Sequence, residues 1–168
     1  SVGISQDLKV GCLAGAARTL WCLGYPDQAL ARGQEAIAFA QCLAHPYSLM
    51  WGQLFVAELH QYRGEFQAAQ QAAEASLTLA TTQGFQGWIV RGRLVHGLIL
   101  AGLGRVEEGI TQMQQSLEAQ RATGETRAQA YFLTRLAEVY LRTDQPAAGL
   151  ACLTEALALI EATGERWG

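Results

Sequence analysis

The sequence predicts an all-α fold made of four helical hairpins, eight antiparallel helices in all, and three observations predict it. Turn-forming residues recur every 20 positions, apolar residues between them recur at three- and four-residue spacing, and the composition is 50% hydrophobic against 16% charged over 168 residues. A chain this apolar is not disordered in the charged, core-less manner. At 18.2 kDa it holds one sizeable core or a short repeat array, and hardly two independent domains. Three prolines and the lack of β-branched runs argue for helix over strand.

The repeat is read from its turns. Gly24-Tyr25-Pro26-Asp27-Gln28-Ala29 lines up with Gly64-Glu65-Phe66-Gln67-Ala68-Ala69, with Gly104-Arg105-Val106-Glu107-Glu108-Gly109 and with Asp144-Gln145-Pro146-Ala147-Ala148-Gly149, each step being 40 residues. A second set of breakers falls halfway between, at Ala44-His45-Pro46, Gly84-Phe85-Gln86, Gly124-Glu125-Thr126 and Gly164-Glu165-Arg166. The units are therefore about 5–44, 45–84, 85–124 and 125–164, which together take 160 of the 168 residues as one repeat domain.

Each unit in turn carries the helical pattern. Leu30, Gly33, Ile37 and Ala40 mark one face of the second helix of unit one, and Ala73, Leu77 and Ala80 repeat it in unit two. Ile110, Met113 and Leu117 follow in unit three, then Leu150, Leu153, Leu157 and Ile160 in unit four. Each segment runs about 17 residues, or roughly 25 Å. Pro26 and Pro146 stand where a helix begins and a missing amide costs nothing. Gly84, Gly124 and Gly164 stand where a helix ends in the left-handed conformation. Thr126 with Gln129 is expected to form a capping box.

Two phases of the repeat always hold small residues. Ala17, Ala57, Gly97 and Ala137 lie in the first helices, and Ala29, Ala69, Gly109 and Gly149 lie near the start of the second. Small side chains at both places let the two helices of a hairpin approach closely. With the turn glycine between them and Pro26, Phe66, Val106 or Pro146 two positions after it, residues 5 to 164 resemble the tetratricopeptide (TPR) repeat. That resemblance implies a right-handed α-solenoid. The unit here is 40 residues, longer than the usual unit of about 34, and the aromatic expected early in the first helix is mostly absent. The longer form resembles the helical repeats of bacterial STAND ATPase signalling proteins, such as maltose-regulator-like activators and multidomain adenylate or guanylate cyclases. The stretches LGYPDQALARGQEAIAFA (23 to 40) and EALALIEATGERW (155 to 167) carry that likeness. With Leu153, Leu157 and Ile160 left on the last helix, the chain is expected to be a piece of a longer array, open to self-association through its ends.

The chemistry that is missing narrows the function. One lysine, Lys9, among scattered arginines and a net charge of −3 make no basic stripe for nucleic acid. Cys12, Cys22, Cys42 and Cys152 form no CxxC pair, so free, buried thiols in a reducing cytoplasm are expected. No signal peptide is visible ahead of the repeats, none is expected, and no membrane partner is expected. The 22 residues between Glu35 and Glu58 carry no Asp, Glu, Lys or Arg, but Pro46 and a turn in their middle make them two half-helices rather than a span. No Walker A, GxSxG, HExxH or dinucleotide motif is present, and Gly102 with Gly104 ends a helix rather than following a strand. Glu107 and Glu108 fall in a first helical turn, where they complement the helix dipole. His60 and His96 lie in first helices of adjacent units without a third ligand. No enzyme activity, metal or cofactor is expected.

The resemblance implies that the first helices line a concave groove. Its inward positions are then Arg18, Trp21 and Cys22 in unit one, and Trp51, Leu54, Glu58, Gln61 and Tyr62 in unit two. Arg91, Leu94 and Leu98 follow in unit three, and Tyr131, Thr134, Glu138 and Arg142 in unit four. Aromatic residues and arginines are enriched at binding hot spots. The competing reading makes Trp51 and Tyr131 core residues, and Arg18 with Glu58 or Glu138 with Arg142 ordinary ion pairs. A protein or peptide partner, within the same polypeptide or outside it, is the expected ligand of this interaction module. The alternative is a small molecule such as a sugar, sensed on behalf of an attached ATPase, cyclase or transcription activator.

Overall fold

A computed structural model describes residues 7–124, 126 and 128–164, and every ordered element among them is an α-helix. The helices are α1 (Leu8–Cys22), α2 (Pro26–Cys42), α3 (Pro46–Tyr62), α4 (Phe66–Gln83), α5 (Gln86–Gly102), α6 (Val106–Ala122), α7 (Gln129–Arg142) and α8 (Pro146–Thr163). Contacts divide the chain inside α5 into two compact units, one up to Val95 and one from His96.

The punctuation has one physical form. Residues 24, 44, 64, 84, 104, 124, 144 and 164 all have positive φ, six of them glycine and the others Ala44 (48°) and Asp144 (56°). The next amide folds back onto the helix that has just ended: Tyr25 donates to Leu20, His45 to Ala40, Glu65 to His60 and Phe85 to Ala80. This bond satisfies a carbonyl that the helix leaves open. Pro26, Pro46 and Pro146 then open α2, α3 and α8. The 22 uncharged residues after Glu35 are divided between α2 and α3 as expected.

One boundary departs from the pattern. α7 starts at Gln129 rather than two residues earlier, so Thr126 is not its cap and the expected capping box does not form. The cap position is Ala128, at φ 59° with no side-chain bond, and the Gln129 amide instead donates to the Thr126 carbonyl at 3.0 Å. Ala128, Gln129 and Ala130 are all buried. Packing of this short segment has overridden local capping preference.

In the unit up to Val95, Ala14, Ala17 and Ala29 pack with Phe55 and Leu59, while Val10, Ala36 and Ala40 form a second cluster against Leu13, Phe39 and Leu49. Gly33 lies so close to α3 that a Cβ there would fall 2.8 Å from Val56 Cγ2. Ser76 ties α4 to α3 by donating to the Met50 carbonyl at 2.9 Å. Asp7 caps α1 by accepting from Lys9 and Val10, and Ser48 Oγ accepts from the Asp7 amide at 2.8 Å.

In the unit from His96, the glycine pair predicted to allow close approach does so. A Cβ on Gly109 would lie 2.5 Å from the Gly97 carbonyl oxygen and 3.0 Å from the Ala101 nitrogen. Phe132, Leu133 and Leu136 are buried on α7, each contributing about 1.5–3 kcal/mol of apolar transfer. α8 differs from the other helices, with only Gly149 and Ala156 buried. By length and composition alone it is the one helix among the described residues apolar enough to cross a membrane.

The thiols correct an expectation. Cys12, Cys22 and Cys42 are exposed and Cys152 is half-buried, because the first three fall on helix faces that no neighbour covers. Burial raises the Cys152 thiol above its ordinary pKa.

Candidate interaction surface

α1 and α3 present a connected aromatic band. The Trp21 ring stacks on Tyr62 with centroids 5.5 Å apart and 27° between planes. One helical turn away, Trp51 stacks on Phe55 at 5.9 Å and 16°, and the exposed Arg18 guanidinium lies 5.4 Å above the Phe55 ring. These residues meet because α1 and α3 run side by side with the small Ala14 and Ala17 between them. Trp21, Trp51 and Gln61 are half-buried and Tyr62 is 37% exposed, so the rings are anchored below and open above. Phe55, on which both Arg18 and Trp51 rest, was not singled out by the sequence pattern. Its signal was its spacing of four from Trp51.

The ion pairs differ from those expected. Glu58 is buried, and its partner is Arg91 of α5 at 3.1 Å rather than Arg18. Arg91 in turn lies 5.8 Å from the Trp88 ring, whose Nε1–H donates to Tyr47 Oη at 2.9 Å. Tyr47 also meets Phe85 edge-on at 5.3 Å. Glu58 and Arg91 thus brace α3 against α5. Leu54 and Leu94 are buried core and offer no surface.

The second unit holds a separate set. Tyr131 is half-buried edge-on to Phe132, with centroids 5.1 Å apart. Thr134 is half-buried and its hydroxyl donates to the Ala130 carbonyl at 2.9 Å. Glu138 pairs with Arg135 at 2.6 Å rather than with Arg142, which is exposed at the end of α7. Leu98 is buried. Tyr140 accepts from Gln114 at 2.7 Å, and burial raises its phenol pKa.

The histidines are engaged within their own units. His60 Nδ1 bonds Glu65 at 2.6 Å, and Gln112 Nε2 donates to His96 Nδ1 at 3.0 Å. Arg63 joins the first of these pairs by donating to Glu65 at 2.8 Å and to Asp27 of α2 at 2.9 Å. The hydrogen bond from His60, then that from Arg63, hold the Glu65 carboxyl below the ordinary glutamate range. No group of three His, Cys, Asp or Glu residues gathers among the described residues in a way that would hold a metal ion.

No protein-family model and no curated protein matches the chain. Solved structures do, among them two of a kinesin light chain-type protein of nearly identical TPR-like repeats from Podosopora anserina, one a point variant. The variant aligns at a TM-score of 0.65 and 16% identity, covering 92% of this chain and 76% of that one. The other aligns at 0.61 and 17%, covering 94% and 77%. The fold is therefore an all-α, TPR-like helical repeat of the solenoid class.

Proposed function

We propose that this chain is a non-catalytic protein-interaction scaffold that binds a peptide segment along α1 and α3. The observation that carries the reading is the Trp21–Tyr62 stack beside Arg18, Phe55 and Trp51. Rings held by their neighbours lose little freedom on binding, and an arginine laid over a ring offers donors without a flexible search. Such anchors dominate the energetics of protein interfaces. Glu58 and Arg91 act as positioning residues for α3, and Gln61 supplies polar contact beside Tyr62. Tyr131, Thr134, Glu138 and Arg142 form a separate surface of the second unit, open to the same kind of partner.

The test uses a phage-displayed peptide library panned on the 168-residue chain and on its Trp21→Ala, Tyr62→Ala variant, with helicity checked by circular dichroism. Clones enriched on the parent are expected to lose about thirtyfold or more in affinity on the folded variant. Equal binding to both would sink the reading.

In its host, the scaffold serves as a regulatory module of a cytoplasmic bacterial signalling protein of the STAND type, a reading that rests on residues 23 to 40 and 155 to 167. Sequencing the flanking reading frame tests it, and a frame without an ATPase, cyclase or DNA-binding module would refute it. The same aromatic band favours one alternative, the stacking of a sugar ring. A rise in melting temperature with a sugar panel, abolished by Trp21→Ala, would replace the peptide reading.

A further inference from the structure

We propose that the ligand of the aromatic band on α1 and α3 is a proline-rich segment in the polyproline II conformation, an inference that rests on the peptide reading above and names the chemistry of that peptide. The band lies off the row that successive units use for packing. In α3 the positions 52, 56 and 59 meet α2, Gly52 against Ile37, and Val56 and Leu59 against Gly33. The same positions of α1 are Cys12, Ala16 and Thr19, so that row is the one a preceding helix would take. Arg18 and Trp21 stand off it and meet Phe55 and Tyr62 of α3 instead.

The open polar groups of the band are mostly donors. The indole N–H groups of Trp21 and Trp51 have no acceptor among the described residues, whereas that of Trp88 donates to Tyr47. Neither indole nitrogen is among the buried unpaired atoms, so both are open to a ligand. The exposed Arg18 guanidinium lies over the Phe55 ring and reaches no carboxylate among the described residues. Glu58, the carboxylate of the same stretch of α3, is buried and turned to Arg91. Side-chain acceptors come only from Gln61 and Tyr62, together at the end of α3.

A surface of rings and donors discriminates among peptide backbones. An ordinary extended peptide brings an N–H at every residue, and each one buried against a ring without an acceptor weakens binding about fivefold to 150-fold. An α-helical ligand spends its carbonyls on its own backbone and offers few to the indoles and the guanidinium. Proline has no N–H to leave unpaired. Polyproline II keeps every carbonyl free to accept, and its preset backbone loses little freedom on docking against aromatic side chains. The donors of the band then meet carbonyls, and its ring faces meet prolyl rings.

Fluorescence anisotropy of a labelled polyproline peptide of about ten residues, titrated with the 168-residue chain, tests the proposal. Saturable binding below about 1 mM is expected, and a length-matched Ala–Gln peptide should bind at least about tenfold more weakly. The Trp21→Phe, Trp51→Phe variant keeps both rings and removes both indole donors, and its affinity for polyproline should fall about tenfold with helicity unchanged. Arg18→Ala, at an exposed position that leaves the fold alone, should cost about threefold or more. The proposal is overturned if polyproline does not saturate, if the two peptides bind equally, or if both variants keep full affinity. Panning separates this failure from that of the peptide reading. Clones that need Trp21 and Tyr62 are expected to carry prolines three residues apart. If such clones are no richer in proline than the unselected library, the polyproline ligand is refuted while the scaffold reading stands.

Discussion

At the scale of single residues, the eight left-handed positions at the twenty-residue turns are the simplest place to test the chemistry of the fold. Six are glycine, which accepts positive φ freely, whereas Ala44 holds φ 48° against the clash of its Cβ with the following carbonyl. Ala44→Gly is expected to stabilise the chain by about 1 kcal/mol in urea denaturation, because the strain relieved exceeds the entropy that glycine adds to the unfolded state. Asp144→Gly should gain less, since aspartate tolerates this region. Charge behaves differently at Glu65. Its folded carboxyl is held below the ordinary range, so it binds its proton less readily folded than unfolded. The His60–Glu65–Arg63 brace therefore contributes above the ordinary glutamate range and is lost as pH falls through the lowered folded value. Glu65→Gln should lower the urea midpoint at pH 7 by a small amount, as exposed pairs do, and the difference should shrink as pH falls below the ordinary glutamate range.

At the scale of elements, glycines in the helices have opposite roles that only packing reveals. Gly15 in α1 has nothing within 4 Å of where a Cβ would stand, and Gly109 in α6 faces the backbone of α5. Gly15→Ala is expected to stabilise by about 0.8–1 kcal/mol through helix propensity. Gly109→Ala should destabilise by about 3 kcal/mol, since a carbonyl oxygen and an amide nitrogen cannot move aside as a flexible side chain can. Both values are read from urea midpoints at constant m-value. Helix starts at Pro26 and Pro146 and the close approach at Gly97 and Gly109 were legible in the sequence, because each depends on residues adjacent in the chain or one turn of the repeat apart. The partner of Glu58 was not. Arg18 and Arg91 stand at comparable distances along the chain, and only the packing of α3 against α5 brings Arg91 within 3.1 Å. The late start of α7 was hidden for a related reason, since burial of Ala128 to Ala130 outweighs what Thr126 offers locally.

At the scale of the whole molecule, stability is distributed along the chain, as in arrays where each repeat touches only its neighbours. The division inside α5 separates a unit carrying the aromatic band from one carrying α8. In Gly109→Ala, amide exchange is therefore expected to accelerate across α6 to α8 before it does so in α1 to α4, as followed by mass spectrometry of peptic fragments. Uniform acceleration over all eight helices would show instead that the chain unfolds as one cooperative block. The sequence pattern also announced the exposed row on α8, since Leu153, Leu157 and Ile160 stand where α6 has buried residues. It gave no warning about the thiols, because exposure of Cys12, Cys22 and Cys42 depends on which helix faces lack a neighbour.

The left-handed residue at every twentieth position has a consequence for heredity. Inserting or deleting one residue within a helix turns everything beyond it by about 100° and carries the apolar row off its neighbour. Exchange between two equivalent turns, by contrast, adds or removes a whole unit and leaves every remaining side chain on its original face. The gene for such a chain is thus free to lengthen or shorten by recombination between like turns, and the fold tolerates no smaller step inside its helices.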